Sequence, residues 1–287
     1  MARVSFLKFT ASLRSCVLIF LFLSALHAQR LAIVTPEKSQ LSEQFASSLV
    51  DRSRGRIKII DSAMAEAAFR ALEIETPFNM TVGDSRRAAA AVGCDFLVLI
   101  KAVTTRRSSL SKGDYHESFA VTYFLSERSG RLADWSLTSF EADTAAKAEQ
   151  LLLDWVPQSA DRIVAKAIST KDTELNEKAA PAIEQLPLEN TTENKDFRPP
   201  IPYKRLKPDY TRTAFLYGIR AVVEVEADIE ADGRVSRTEI ARWAGYGLEE
   251  SVIDAVRKMN WRPAERGGKP LPMRVLLRYN FTKIEKE

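Results

Sequence analysis

Residues Val222–Ala241, VVEVEADIEADGRVSRTEIA, decide how the C-terminal part of this chain folds. Val223, Val225, Ala227 and Ile229 alternate with Glu224, Glu226, Asp228 and Glu230, and the run closes on Asp232-Gly233. A period of two puts one face of a strand into a core and the other into water, and Asp-Gly punctuates a hairpin. The stretch reads as two antiparallel strands with its acids on the solvated side. Val235 and Ile240 are five apart and point to opposite faces of a regular strand, so burying both requires a bulge or a strand that turns inward only after its first residues.

Downstream, GLEESVIDAVRKMN places Leu248, Val252, Ile253 and Val256 on one helical face. Glu249 and Glu250 fall in its first turn and Arg257 and Lys258 near its end, the signs that suit a helix dipole. WRPAERGGKPLP is a turn-rich connection, after which Met273, Val275, Leu277, Tyr279 and Phe281 alternate with Arg274, Leu276, Arg278 and Asn280. The order strand, strand, helix, strand defines an α+β C-terminal domain with an antiparallel sheet, over residues 208–287.

Upstream, RLAIVTP reads as a buried strand, and EKSQLSEQFASSLVDRS as a helix with Leu41, Phe45, Leu49 and Val50 on one stripe. RIKIID is a second short strand. SAMAEAAFRALEI follows as a helix with Asp61 or Ser62 as its N-cap, and TVGDSRRAAAAVG as another that ends at Gly93. CDFLVLIKAV is apolar enough for a central strand. Strands alternating with helices give a separate α/β domain, residues 30–168, to which a hairpin turning at Arg128-Ser129-Gly130 is added. A helix over 144–168, broken near Pro157, closes it. From 169 to 207 the composition turns to Glu, Lys, Asn, Thr and Pro, so a flexible Pro-rich linker is expected and the two domains should act as separate bodies.

The length, 287 residues, suits two domains, and 45% hydrophobic residues are ordinary for a globular chain. A net charge of +4 without a concentrated basic patch gives no reason to expect a nucleic-acid partner. At the N-terminus, Arg3, Lys8 and Arg14 precede CVLIFLFLSAL, an apolar core of eleven residues. Such a core spans only about 16 Å as a helix, short of a bilayer. Residues 1–28 therefore read as a signal peptide cleaved after Ala28, and the expected location is the periplasm. The alternative is an uncleaved segment that anchors the chain in the inner membrane. Removal of Cys16 with that segment leaves Cys94, within VGCDFLVLI, as a packed core residue with no disulfide partner.

Catalysis finds little support. Triads and zinc sites lean on histidine, and only His27 and His116 exist, the latter expected in an exposed loop. No glycine spacing matches a phosphate-binding loop. No cofactor or metal site and no catalytic residues are expected.

The C-terminal domain resembles that of the TonB family, over residues of about 205–282. The matching residues are Pro208, Tyr210, Ala214 and Gly218, then VEVEADIEADGRV, Gly245, LEESVIDAVRKMNWRPA and GGKPLPMRVLLRYNF. The resemblance implies a domain that binds an extended segment, the TonB box of an outer-membrane transporter, by strand addition, and with it a part in transmembrane transport. The expected binding edge is the last strand: Met273, Arg274, Val275, Leu276, Leu277, Arg278, Tyr279, Asn280 and Phe281. An equally open reading makes that strand an ordinary sheet margin, with Arg274 and Arg278 discouraging unwanted pairing. Four features depart from the family: the apolar core is too short for a motor-coupled transmembrane helix, His27 sits at its outer end, the linker is modest, and Arg242-Trp243-Ala244-Gly245 replaces a small Ser-Ser-Gly-like turn. Force transduction is in doubt on that ground, and the alternative function is a structural assembly factor of an envelope complex. The N-terminal domain has a lesser likeness to periplasmic α/β domains of the TolB N-terminal and CsgG kind, through LAIVTP, AAAVGCDFLVLI and SERSGRLADW.

Overall fold

The computed structural model describes residues 29–109, 113–176, 182–185 and 196–282. The expected signal peptide, 1–28, lies outside the described residues, as do 177–181 and 186–195 of the expected linker.

The N-terminal domain opens with β1 (Arg30–Val34) and α1 (Gln40–Ser53), whose Leu41, Phe45, Leu49 and Val50 are all buried. Ser39 caps α1 by accepting from the Ser42 N–H. β2 (Lys58–Ile59) is only two residues long, and Asp61 caps α2 (Ser62–Arg70). α3 (Val82–Val92) starts in a capping box between Thr81 and Asp84 and stops at Gly93, whose φ of 75° is left-handed. β3 (Phe96–Ser109), β4 (Gly113–Ser126) and β5 (Leu132–Ala142) follow. The sheet order is β2-β1-β3-β4-β5, with β3 parallel to β1 and antiparallel to β4. The hairpin therefore continues the α/β sheet, and the mixed sheet is one body. His116 sits inside β4, opposite Arg106 and Ala142 and half-buried, where an exposed loop was expected.

α4 (Ala145–Asp154) and α5 (Val156–Asn176) replace the single broken helix. The break falls at Trp155, which leaves Pro157 in the first turn of α5, where a missing N–H costs nothing. Past Ile168, STKDTELN contains neither proline nor glycine, and α5 runs through it to Asn176.

The C-terminal part comprises β6 (Phe197–Arg198), β7 (Ile201–Pro202), α6 (Arg212–Leu216), β8 (Ala221–Ile229), β9 (Val235–Arg242), α7 (Leu248–Arg257), β10 (Trp261–Arg262), β11 (Ala264–Arg266), β12 (Lys269–Leu271) and β13 (Met273–Phe281). Its main sheet is β13-β8-β9, all antiparallel, with α7 on its apolar face. The expected order of strand, strand, helix, strand is present. Around it, WRPAERGGKPLP is itself a small hairpin, and β6 and β7, from the stretch read as linker, pair with β11 and β10. At the turn between β8 and β9, a Cβ on Gly233 would sit 2.0 Å from the Trp261 carbonyl oxygen. The bulge condition set by Val235 and Ile240 is met between them, where Ile229 pairs with Val235 but Asp228 with Arg237; a second irregularity follows, where Val225 pairs with Ile240 but Glu224 with Arg242. Ser236 and Ala241 are the extra residues, and Val235 and Ile240 both pack on the core.

The two domains are not separate bodies. One face of the N-terminal sheet packs on α1, α4 and α5 through Ile33, Val98, Ile100, Phe45 and Leu152. The other face carries Leu97, Leu99, Val121, Tyr123 and Leu125, and these share a single buried cluster with Val223, Val225, Trp243, Leu248 and Val252 of the C-terminal domain. A sheet that is apolar on both faces must be covered on both. Here α2 and α3 cover part of the second face and the C-terminal domain covers more of it.

Candidate partner-binding edge

The alternation of β13 separates two jobs. Met273, Val275, Tyr279 and Phe281 are buried, while Leu276, Arg278 and Asn280 are exposed. On the outer face Arg274 lies opposite Asp228, and its Nε and Nη2 donate to both carboxylate oxygens at 2.6 and 2.8 Å. Asp228 is only 2% exposed, so this pair is the buried centre of a charge ladder. The bond to Asp228 raises the pKa of Arg274 further. Arg278 approaches Glu224 at 3.7 Å, and Arg242 reaches the same glutamate from the other side at 3.3 Å. The acids of β8 are thus paired and largely covered, where a solvated face was expected. Arg274 faces Asp228, so its charge is directed into the sheet.

β13 ends the strand order, and among the described strands of its sheet it pairs with β8. The Arg274 N–H turns away from β8 and donates to the Glu184 carbonyl at 2.8 Å, and the Arg278 carbonyl accepts from Arg205 Nη2 at 2.7 Å. In an antiparallel pair every second residue turns both backbone groups outward. Leu276 and Asn280 share this outward phase with Arg274 and Arg278. Arg205 also lies over the Tyr279 ring, 5.1 Å from its centroid.

The second constellation joins the domains, and sequence reasoning missed it. Asn79 Nδ2 donates to the carbonyls of Val222 and Trp243 at 2.8 and 2.6 Å, and its Oδ1 accepts from the Val222 N–H at 2.9 Å. Trp243, 1% exposed, donates from Nε1 to Ser85 Oγ at 2.9 Å and from its backbone to the Met80 carbonyl at 3.2 Å. The Tyr123 hydroxyl donates to the Ala244 carbonyl at 3.2 Å, and a Cβ on Gly245 would lie 2.9 Å from the Tyr123 ring. Burial raises the Tyr123 phenol and pushes that of Tyr246 up to about 12. Arg242–Gly245, the segment that departs from the family turn, therefore docks on the N-terminal domain together with Val222. That departure was the available signal. Across the same junction, Glu239 accepts from Arg131 at 2.6 Å, and it also accepts from Arg237 of its own strand at 2.6 Å. Burial pushes its carboxyl up, but Arg131 and then Arg237 outweigh this and hold it below the ordinary range.

Cys94 is buried, and desolvation pushes its thiol up to about 12, so it is a packing residue. Asp95 beside it accepts from the Arg30 N–H at 2.7 Å and ties the start of β3 to β1. Among the described residues no group of three or more His, Cys, Asp or Glu side chains could hold a metal ion, and no helix is long and apolar enough to cross a membrane.

Residues 207–282 match the family model described as Gram-negative bacterial TonB protein C-terminal. This segment is similar to the C-terminal domain of TonB proteins. Among solved structures, the TonB C-terminal domain of Pseudomonas aeruginosa is 25% identical, over 33% of this chain and 94% of that one, with a TM-score of 0.26. The hypothetical protein CT253 from Chlamydia trachomatis is 10% identical, over 49% of this chain and 99% of that one, at a TM-score of 0.32. Lipoprotein GNA1162 from Neisseria meningitidis is 13% identical, over 46% and 99%, also at 0.32. No curated protein sequence matches the chain.

Proposed function

We propose that this is an exported cell-envelope protein, without enzymatic activity, whose C-terminal domain binds an extended segment of an outer-membrane TonB-dependent transporter by adding it as a strand to β13, Met273–Phe281. The observation that carries this reading is the outward phase of Arg274, Leu276, Arg278 and Asn280 at the end of the sheet. Main-chain bonds to that edge give affinity, and alternate side chains give selectivity. Leu276, 58% exposed, is the apolar contact on this margin. The match of residues 207–282 to the TonB C-terminal family supports a protein partner of this kind. Export fits residues 1–28, and a mature N-terminus at Gln29 is the expected result of N-terminal sequencing from the envelope fraction.

The test uses the full chain. Titration with synthetic TonB-box peptides should shift the backbone amides of Leu276, Arg278 and Asn280 most strongly, with the amides of Val225 and Ala227 on the inner strand moving least. Peptide binding with no shift along 273–281 would overturn the assignment of the edge.

A further inference from the structure

The outer edge of β13 already has an occupant from its own chain. The Arg274 N–H donates to the Glu184 carbonyl at 2.8 Å, and Gln185 forms a parallel bridge with Arg274. The Glu184 carboxylate is held by Arg266 of β11 through two bonds, of 2.5 and 3.2 Å. Ile183 is half-buried, between the exposed Ala182 and Glu184. The backbone contact is of the same kind as a strand-adding partner makes, and it uses the first of the outward-facing residues.

We propose that Ala182–Gln185 is a built-in competitor for the β13 edge, seated by the Glu184–Arg266 pair and displaced by an incoming extended segment. The inference rests on the strand-addition reading above. Two physical facts make such a competitor workable. Tethering gives the segment a high effective concentration at the edge without any new contact. Its anchor is nevertheless weak, because the side chains of Arg266 and Glu184 are 51% and 44% exposed, and exposed ion pairs contribute little. The seat covers Arg274, whereas Leu276 stays 58% exposed. A partner can therefore begin to pair at Leu276 and advance toward Arg274, replacing the Glu184 carbonyl with its own.

The apparent affinity of a partner falls by the fraction of molecules in which the edge is free. Two full-length variants test this, Glu184→Ala, and Ile183→Gly combined with Glu184→Gly, both of which leave β11 and β13 unaltered. The Arg274 amide should exchange with solvent faster in each variant than in the wild type. A synthetic TonB-box peptide should bind each variant about three- to tenfold more tightly. An Arg274 amide as protected in the variants as in the wild type overturns the seat. Equal peptide affinity in wild type and variants overturns the competition and leaves strand addition standing. No peptide binding in any of the three proteins overturns both.

Discussion

Glu249 illustrates how one side chain sets a local conformation at an electrostatic cost. It lies in the first turn of α7, is 9% exposed, and its Oε1 accepts from the N–H groups of Ala244 and Gly245 at 2.5 and 2.7 Å. Gly247, the N-cap, has no side chain to offer, so Glu249 organises the approach to the helix instead. Burial is the largest influence on the carboxyl and raises its pKa despite the two amides, which pull the other way. A raised pKa means that the folded state favours the protonated acid. The contribution of this group to stability is therefore full below the ordinary glutamate value of 4.5 and is lost as pH rises through the folded value. Glu249→Gln keeps an acceptor oxygen for the two amides and has no proton to lose. Relative to the wild type it should gain stability on going from pH 4 to pH 8, measured by urea unfolding at both. Glu249→Ala leaves two buried amides without their acceptor and should cost about 1–3 kcal/mol at pH 4 and less at pH 8.

Among the elements, β8 and β13 show what alternation reveals and what it hides. Period two located both strands, their apolar faces and the hairpin turn, because burial of every second residue is a local property of a chain. It did not reveal that the other face is a ladder, since Arg274 and Asp228 are 46 residues apart and their pairing depends on register. The bulge at Ser236 was legible only as a condition, that Val235 and Ile240 both turn to the core, and the one at Ala241 was not legible at all. As for the candidate edge, the sequence located β13 and its alternation but not the Glu184 contact, because nothing local in AIEQ marks a strand. The ladder has a testable energetic asymmetry. Removing one member of a buried ion pair strands the other charge, whereas replacing both by apolar groups is often neutral. Arg274→Ala should cost about 3–5 kcal/mol in urea unfolding, because Asp228 stays buried. Arg274→Met combined with Asp228→Leu should recover most of that loss. A cost for Arg274→Ala below about 1 kcal/mol would mean that the pair behaves as an exposed one.

At the scale of the whole molecule, the notable outcome is that two domains separated by a proline-bearing stretch share a core. The sequence held half of the reason: FLVLI and FAVTYFL are apolar without alternation, which demands cover on both faces of the N-terminal sheet. The identity of the cover was not legible, because Asn79 bonds to Val222 and Trp243 across 143 and 164 residues and no local pattern marks such a residue. The junction turns a sequence departure into a structural role, since Trp243 stands where the family has a small turn and inserts between Ser85 and Tyr123. Replacing a buried tryptophan by alanine costs about 3–5 kcal/mol, and here the loss falls on the contact between domains as much as on either core. The wild type is accordingly expected to open as one cooperative unit, with the slowest-exchanging amides of Leu97 and Tyr123 matching those of Val223 and Val225 in opening free energy. In Trp243→Ala the two sets should separate, the C-terminal set opening first. This follows because its three-stranded main sheet relies on the shared cluster, while the five-stranded N-terminal sheet keeps a second core against α1, α4 and α5. Hydrogen exchange on the full chain reads both sets at once, and amides that remain matched in the variant would show that the domains are coupled by something other than Trp243.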